Sequence, residues 1–206
     1  MEECFQKENF VVDFSDQKLN STMKQIEELY WYYLDNYRPT SFCTPYNFLA
    51  RFLKSKNIPA SLDTVKHYWR RYEKYKKMIP TAGCIIRHED EILVVRVQNS
   101  IVFSMPKGKF EASDGDLKTT AIRETLEETG VDLSTADIYE GPNILKTQFF
   151  VYDMPVKQTT FNGYNTNEIT EVAWVKMDEV INRTDMYSKQ TQQVVEYLSG
   201  GPSIVL

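Results

Sequence analysis

The spacing of apolar positions changes near residue 79, and that change divides the chain in two. Before it, apolar and aromatic residues recur every three or four positions, as amphipathic helices require. The pattern predicts helices over residues 20–37, 45–56 and 62–78. Arg38-Pro39 stops the first, and the turn Asn57-Ile58-Pro59-Ala60-Ser61 separates the second from the third. After residue 79, short runs of β type appear at 81–87, 92–97, 101–105, 144–152 and 171–175. One helix, 116–129, sits among them, and another, 188–199, follows. Strands mixed with a few helices make an α+β or α/β domain. The boundary falls at Ile79-Pro80, because proline cannot continue the third helix. The expected organisation is an all-helical domain over residues 1–78 and a strand-bearing domain with a C-terminal helix over 79–206.

The first helix carries an unusual polar face. Ile26, Tyr30, Tyr33 and Tyr37 form one stripe, the natural core face. Trp31 lies roughly 140° from Ile26, and Asp35 about 180° from it. Lys24 and Glu28 share that polar side. A tryptophan there, one turn before an aspartate, either packs against the second domain or binds something.

Composition narrows the class. The chain has 206 residues, a net charge of −5 and thirteen tyrosines, which describes a folded protein rather than a disordered one. No apolar run reaches the ~20 residues of a membrane helix, so no membrane contact is expected. The first thirty residues show no apolar signal region, which points to the cytosol or nucleus. Cys4, Cys43 and Cys84 are far apart and odd in number, so neither a disulfide framework nor a zinc knuckle is expected. Charge is unevenly spread. Residues 51–77 hold nine Lys/Arg against two acids, so this segment is +7 and the rest is −12. Tyr68, Trp69, Tyr72 and Tyr75 lie among those basic residues. They either stack on bases beside phosphate-binding groups or simply face a core.

The helix at 116–129 carries the chemistry. Asp116 is a good N-cap and Gly130 a good left-handed stop. Glu124, Glu127 and Glu128 fall within a sector of roughly 100°. Ile122 and Leu126 are expected to be its buried side. Three like charges repel, and a hard divalent cation compensates them. Arg123, one turn before Glu127, is placed to hold that carboxylate. Gly108 lets backbone approach a metal or phosphate closely, with Lys107 and Lys109 on either side.

Gly108, a loop, Arg123-Glu124, then Glu127-Glu128 and Gly130-Val131 together resemble the Nudix box, G-x5-E-x7-R-E-U-x-E-E-x-G-U, where U is aliphatic. There are departures. Counting from Gly108, Asp114 takes the first glutamate's slot, and one extra residue separates it from Arg123. Thr125 stands at an aliphatic position. Either Glu111 or Asp114 fills the loop role.

Three further stretches resemble the catalytic subunits of eukaryotic mRNA decapping enzymes: Glu27 to Asp35, Tyr75 to Ile86 and Phe103 to Lys109. The resemblance implies an α+β chain: an all-helical regulatory and cap-recognition domain, then a Nudix α/β/α sandwich with a C-terminal helical extension. It implies that Trp31 and Asp35 recognise the methylated guanine of an RNA cap. A cationic guanine stacks well on indole, and a carboxylate accepts from its N1–H and amine. It implies Mg²⁺ or Mn²⁺ held by Glu124, Glu127, Glu128 and the Gly108 carbonyl. Glu128 or Glu168 is then the general base, with Glu171 the neighbour that competes with Glu168 for the match. Lys107 and Lys109 would stabilise phosphate charge, and Arg123 would support the site. Closure at Ile79-Pro80 would bring the two halves together. The implied partners are capped RNA and an activator subunit on the helical domain. The implied setting is the cytoplasm, with RNA-decay granules included. Rival expectations are a Nudix hydrolase of free dinucleotides or nucleoside triphosphates, and a non-catalytic RNA- or protein-binding Nudix module.

Overall fold

The structure is a computed structural model and describes residues 4–5, 12–37 and 43–200. The expected stop at Arg38-Pro39 lies outside the described residues. The chain divides into two compact units, Met1–Met78 and Ile79–Leu206.

The first unit is built on α1 (Leu19–Tyr37), α2 (Pro45–Ser55) and α3 (Leu62–Met78). Thr44 starts α2 by accepting from the Asn47 amide at 3.2 Å, with proline in the first turn. The three helices share one core. Ile26, Tyr30 and Tyr33 come from α1, Phe48 and Phe52 from α2, and Val65, Trp69 and Tyr72 from α3. Tyr30 and Tyr33 pack on Phe48 at 5.2 and 5.6 Å, and the Tyr30 hydroxyl donates to the Cys43 carbonyl. Two of the four aromatics among the basic residues of α3 are therefore core. The Trp69 indole donates to Glu73 and the Tyr72 hydroxyl to Glu27. Tyr68 is half-buried on Phe14, and only Tyr75 is exposed.

The second unit is a sheet between helices. Its elements are β1 (Thr81–His88), β2 (Glu91–Val97), β3 (Lys107–Lys109), α4 (Leu117–Thr129), β4 (Tyr139–Ile144), β5 (Thr147–Asp153), β6 (Ile169–Lys176), α5 (Met177–Asn182) and α6 (Lys189–Leu198). The strand order is β4-β5-β1-β2-β6, with β3 on the end of β1. Among the described strands only β1 and β5 pair in parallel. Alternate residues of β1 serve different layers. Ala82, Cys84 and Ile86 pack with Ala121 and Val131 on one face. Ile85 packs with Val180, Val194 and Val195 on the other. This is an α/β/α sandwich, with α4 on one side and α5 and α6 on the other. All three cysteines are buried and none is in a disulfide, and burial pushes the Cys84 thiol up to about 11. Among the described residues no helix is long and apolar enough to cross a membrane.

The structure corrects three expectations. The run at 101–105 is no strand: Phe103 and Ser104 make isolated bridges, and the strand is Lys107–Lys109 instead. The run at 144–152 is broken by a tight turn, because Leu145 and Lys146 both take left-handed backbone (φ 49° and 66°). Neither is a glycine or asparagine, so no turn signal is legible there. Finally, α4 does not bury Ile122 and Leu126. Leu126 is 43% exposed and Ile122 half-buried. The buried face is Thr120, Ala121, Thr125 and Thr129, small side chains that let α4 lie close to β1. At that distance the Cys84 thiol donates to the Ala121 carbonyl at 3.5 Å.

Asp116 caps α4 by accepting from the Thr119 amide at 2.7 Å, and Gly130 ends it at φ 73°. A Cβ on Gly130 would also stand 2.0 Å from the Asn162 carbonyl oxygen. Gly130→Ala should therefore cost more than about 1 kcal/mol in urea denaturation, from the left-handed backbone alone. An unchanged midpoint would refute that account of the stop.

Candidate active site

The site is assembled where β3 passes over α4. Register puts Gly108 opposite Ala82 and Lys107 opposite Gly83. Gly83 has no room for a side chain, since a Cβ there would lie 2.2 Å from the Pro106 carbonyl oxygen. Gly108 is tighter still. A Cβ on it would fall 2.0 Å from the Glu124 carboxyl carbon. Backbone thus reaches carboxylate with nothing between them, the cradle that a hard cation or a phosphate needs. One residue back, the Lys107 amide donates to Glu128 Oε2 at 2.9 Å.

Arg123 organises the acids around this cradle. Its Nε and Nη2 donate to Asp114 at 2.8 and 3.0 Å, a bidentate pair. Nη1 donates to Glu124 at 2.8 Å and Glu127 at 3.2 Å, and Nη2 also to the Lys109 carbonyl at 3.0 Å. The expected contact to Glu127 exists but is the longest of these. The main partner is Asp114, which is buried and also accepts from the Thr120 hydroxyl and the Glu111 amide. Glu111 itself is exposed. Asp114 is therefore the acid that ties the loop to the helix. The Arg123 guanidinium holds its carboxyl well below the usual carboxylate range.

The three helix glutamates differ in setting. Glu127 is exposed, Glu124 is half-buried, and Glu128 lies under β3. Burial pushes Glu128 up to about 7, against the lowering effect of the Lys107 amide and charge. Burial likewise raises Glu124, against Arg123. Glu168 adds negative charge to both. It comes from the segment between β5 and β6, which is fastened at two points. The Asn165 amide donates to the Glu127 carbonyl at 2.8 Å, and the Gln98 amide to the Glu168 carbonyl at 2.6 Å. Glu171 is not part of this group, because it pairs with Arg96 at 3.0 Å. The acids also crowd the last turns of α4, where the helix dipole is negative. Among the described residues no three His, Cys, Asp or Glu side chains already form an ion cage. Arg123 engages Glu124 and Glu127, and Glu128 faces the Lys107 amide. The donor set still fits a divalent cation: all oxygen, rich in charge, and open at the Gly108 backbone.

The remaining candidates are on the surface. Lys107 is half-buried and Lys109 exposed, one on each side of Gly108. On the first unit, Trp31 is 56% exposed although it follows the buried Tyr30. Asp35 is exposed one turn on. Sequence reading missed the Asn165 anchor and the steric demand on Gly83. Only a three-dimensional register reveals either, since neither residue type is informative alone.

The NUDIX domain family matches residues 77–197. The mRNA-decapping enzyme subunit 2 of Arabidopsis thaliana is 25% identical over 186 residues, covering 82% of this chain and 48% of its own. The m7GpppN-mRNA hydrolase of Saccharomyces cerevisiae is 29% identical over 186 residues, covering 83% of this chain and 19% of its own. That of Caenorhabditis elegans is 29% identical over 143 residues, covering 63% and 17%. The chain thus spans about half the length, or less, of these curated relatives.

Breaking the Asp114–Arg123 pair removes the main partner of that guanidinium and the buried charge that ties the loop to α4. Asp114→Asn should cost about 3 kcal/mol at neutral pH in urea denaturation. The sign with pH follows from the depressed carboxyl. Its contribution is full above the ordinary carboxylate pKa and is lost as pH falls through the depressed one. The gap between wild type and variant should therefore close only in strong acid.

Proposed function

This chain belongs to the NUDIX family, and from that premise we propose that it hydrolyses the 5′ cap of RNA. Water adds to a phosphorus of the cap triphosphate bridge and one P–O–P bond breaks. The products are 7-methylguanosine diphosphate and RNA with a 5′-monophosphate. The observation that carries the substrate is Trp31, a large aromatic left 56% exposed on a polar helix face beside Asp35. The names of the relatives support the same reading.

In this reading Glu124, Glu127, Glu128 and the Gly108 carbonyl hold Mg²⁺ or Mn²⁺. When bound, the cation offsets phosphate charge and acidifies water. The chain's own groups do the rest. Glu128, held by the Lys107 amide beside the cradle, accepts the water's proton. Glu168, in the same field, is the second candidate for that proton. The Lys107 amide keeps the Glu128 carboxylate aimed, and the Lys107 and Lys109 ammonium groups balance charge that builds on the phosphates. Arg123 fixes Glu124 and Glu127 in orientation. Trp31 stacks on the cationic guanine while Asp35 accepts from its N1–H and amine. Residues 1–78 act as the cap-recognition and regulatory domain, where an activator subunit would dock, and residues 79–206 as the hydrolase. A cytoplasmic setting belongs to the same proposal.

Two variants test this with RNA labelled in the cap. Glu128→Gln should slow release of labelled nucleotide by roughly 10²-fold or more. Release at the wild-type rate would remove Glu128 from the site. Trp31→Ala should weaken capped RNA and erase any preference for a methylated over an unmethylated cap. Equal loss on both caps, or none, would reject the cap-stacking role and favour a hydrolase of free nucleotides.

A further inference from the structure

Three of the nine Lys/Arg of residues 51–77 lie on one line of α3. Arg70, Lys74 and Lys77 are spaced i, i+4 and i+7, within about 60° of one another around the helix. All three are exposed. They point away from the face that buries Val65, Trp69 and Tyr72. Two other cations of α3 are engaged. Arg71 pairs with Asp16, and Lys76 pairs with Glu27 over the Tyr72 ring. Among the described residues no ion pair or hydrogen bond engages the side chain of Arg70, Lys74 or Lys77. Like charges at i, i+3 and i+4 repel, so the line works against the helix. The negative end of the helix dipole compensates Lys77 in the last turn, but not Arg70 two turns earlier. Meanwhile the rest of the chain is strongly acidic.

We propose that Arg70, Lys74 and Lys77 form a track for the phosphates of the RNA body. It rests on the reading that RNA is the substrate, and it extends it. The cap site would recognise one end, and this track the chain behind it. Trp69 and Tyr72 are buried, and the exposed Tyr75 lies about 100° around the helix from Lys74, so no aromatic stands on the track itself. Recognition there is by charge and without regard to sequence. RNA is favoured over an acidic protein partner because three cations on one line, about 10 Å long, match a regular linear anion.

The test uses the full chain and an uncapped 5′-monophosphate RNA of about 30 nucleotides, long enough to cover the track. Binding is measured across a salt series for wild type, for R70Q/K74Q/K77Q and for the charge-keeping R70K/K74R/K77R. Removing three phosphate contacts should flatten the slope of log affinity against log salt by about two. The loss should be the same for RNAs of different sequence, and the charge-keeping variant should bind as wild type does. Release of nucleotide from a capped dinucleotide, too short to reach the track, should be unchanged in the glutamine variant. An unchanged slope would overturn the proposal. So would displacement of RNA by polyglutamate no less effectively than by unlabelled RNA, which would indicate an acidic partner. If track-dependent RNA binding is found but capped RNA is not cleaved, the track stands and the proposed reaction falls.

Discussion

The active site depends on what one guanidinium holds. Arg123 bonds a loop acid, two helix acids and a strand carbonyl, so a single planar group fixes three separate pieces of chain. Remove it and Asp114 is buried with no counterion, Glu124 and Glu127 repel, and the loop loses its tie to α4. A lysine would not replace it, because one ammonium cannot present a fork to Asp114 and still reach both glutamates. The rest of the site is arranged around that clamp. Strand β3 lies against the helix through Gly108, and the Asn165 segment closes over its far end.

Close backbone contact is the second constraint, and it explains why the buried face of α4 is small. Threonines and an alanine bring the helix down onto β1. That approach sets the height at which Glu124 meets Gly108 and Glu128 meets the Lys107 amide. Large aliphatic side chains beneath the helix would lift the carboxylates out of reach of the strand. The same closeness desolvates Glu128, which keeps its proton affinity near neutrality. Packing and acid–base poise are one arrangement here.

Much of this was legible in the sequence. The helices at 62–78 and 116–129 were readable because their ends carry strong chemistry: Pro80 beyond one, Asp116 and Gly130 at the other. The glutamates were readable because three charges at helical spacing are costly without a reason. The buried face of α4 was not, since threonine looks polar in a linear reading and becomes core only when a strand lies against it. The Leu145-Lys146 turn was not, because it uses residues that rarely adopt that backbone. The choice between Glu111 and Asp114 needed the position of Arg123. Glu168 and Glu171 look alike along the chain, and only the position of Arg96 on the neighbouring strand, which pairs with Glu171, tells their surroundings apart.

The loop between Gly108 and α4 is one residue longer than the usual box spacing, yet its acid still meets Arg123. What the site uses is therefore a meeting of two side chains, whatever the length of chain between them. The extra residue falls between Asp114 and Arg123, where the exposed Gly115 turns left-handed in open space. At this site the ion pair, and not a ruler laid along the chain from Gly108, marks which acid belongs to the helix.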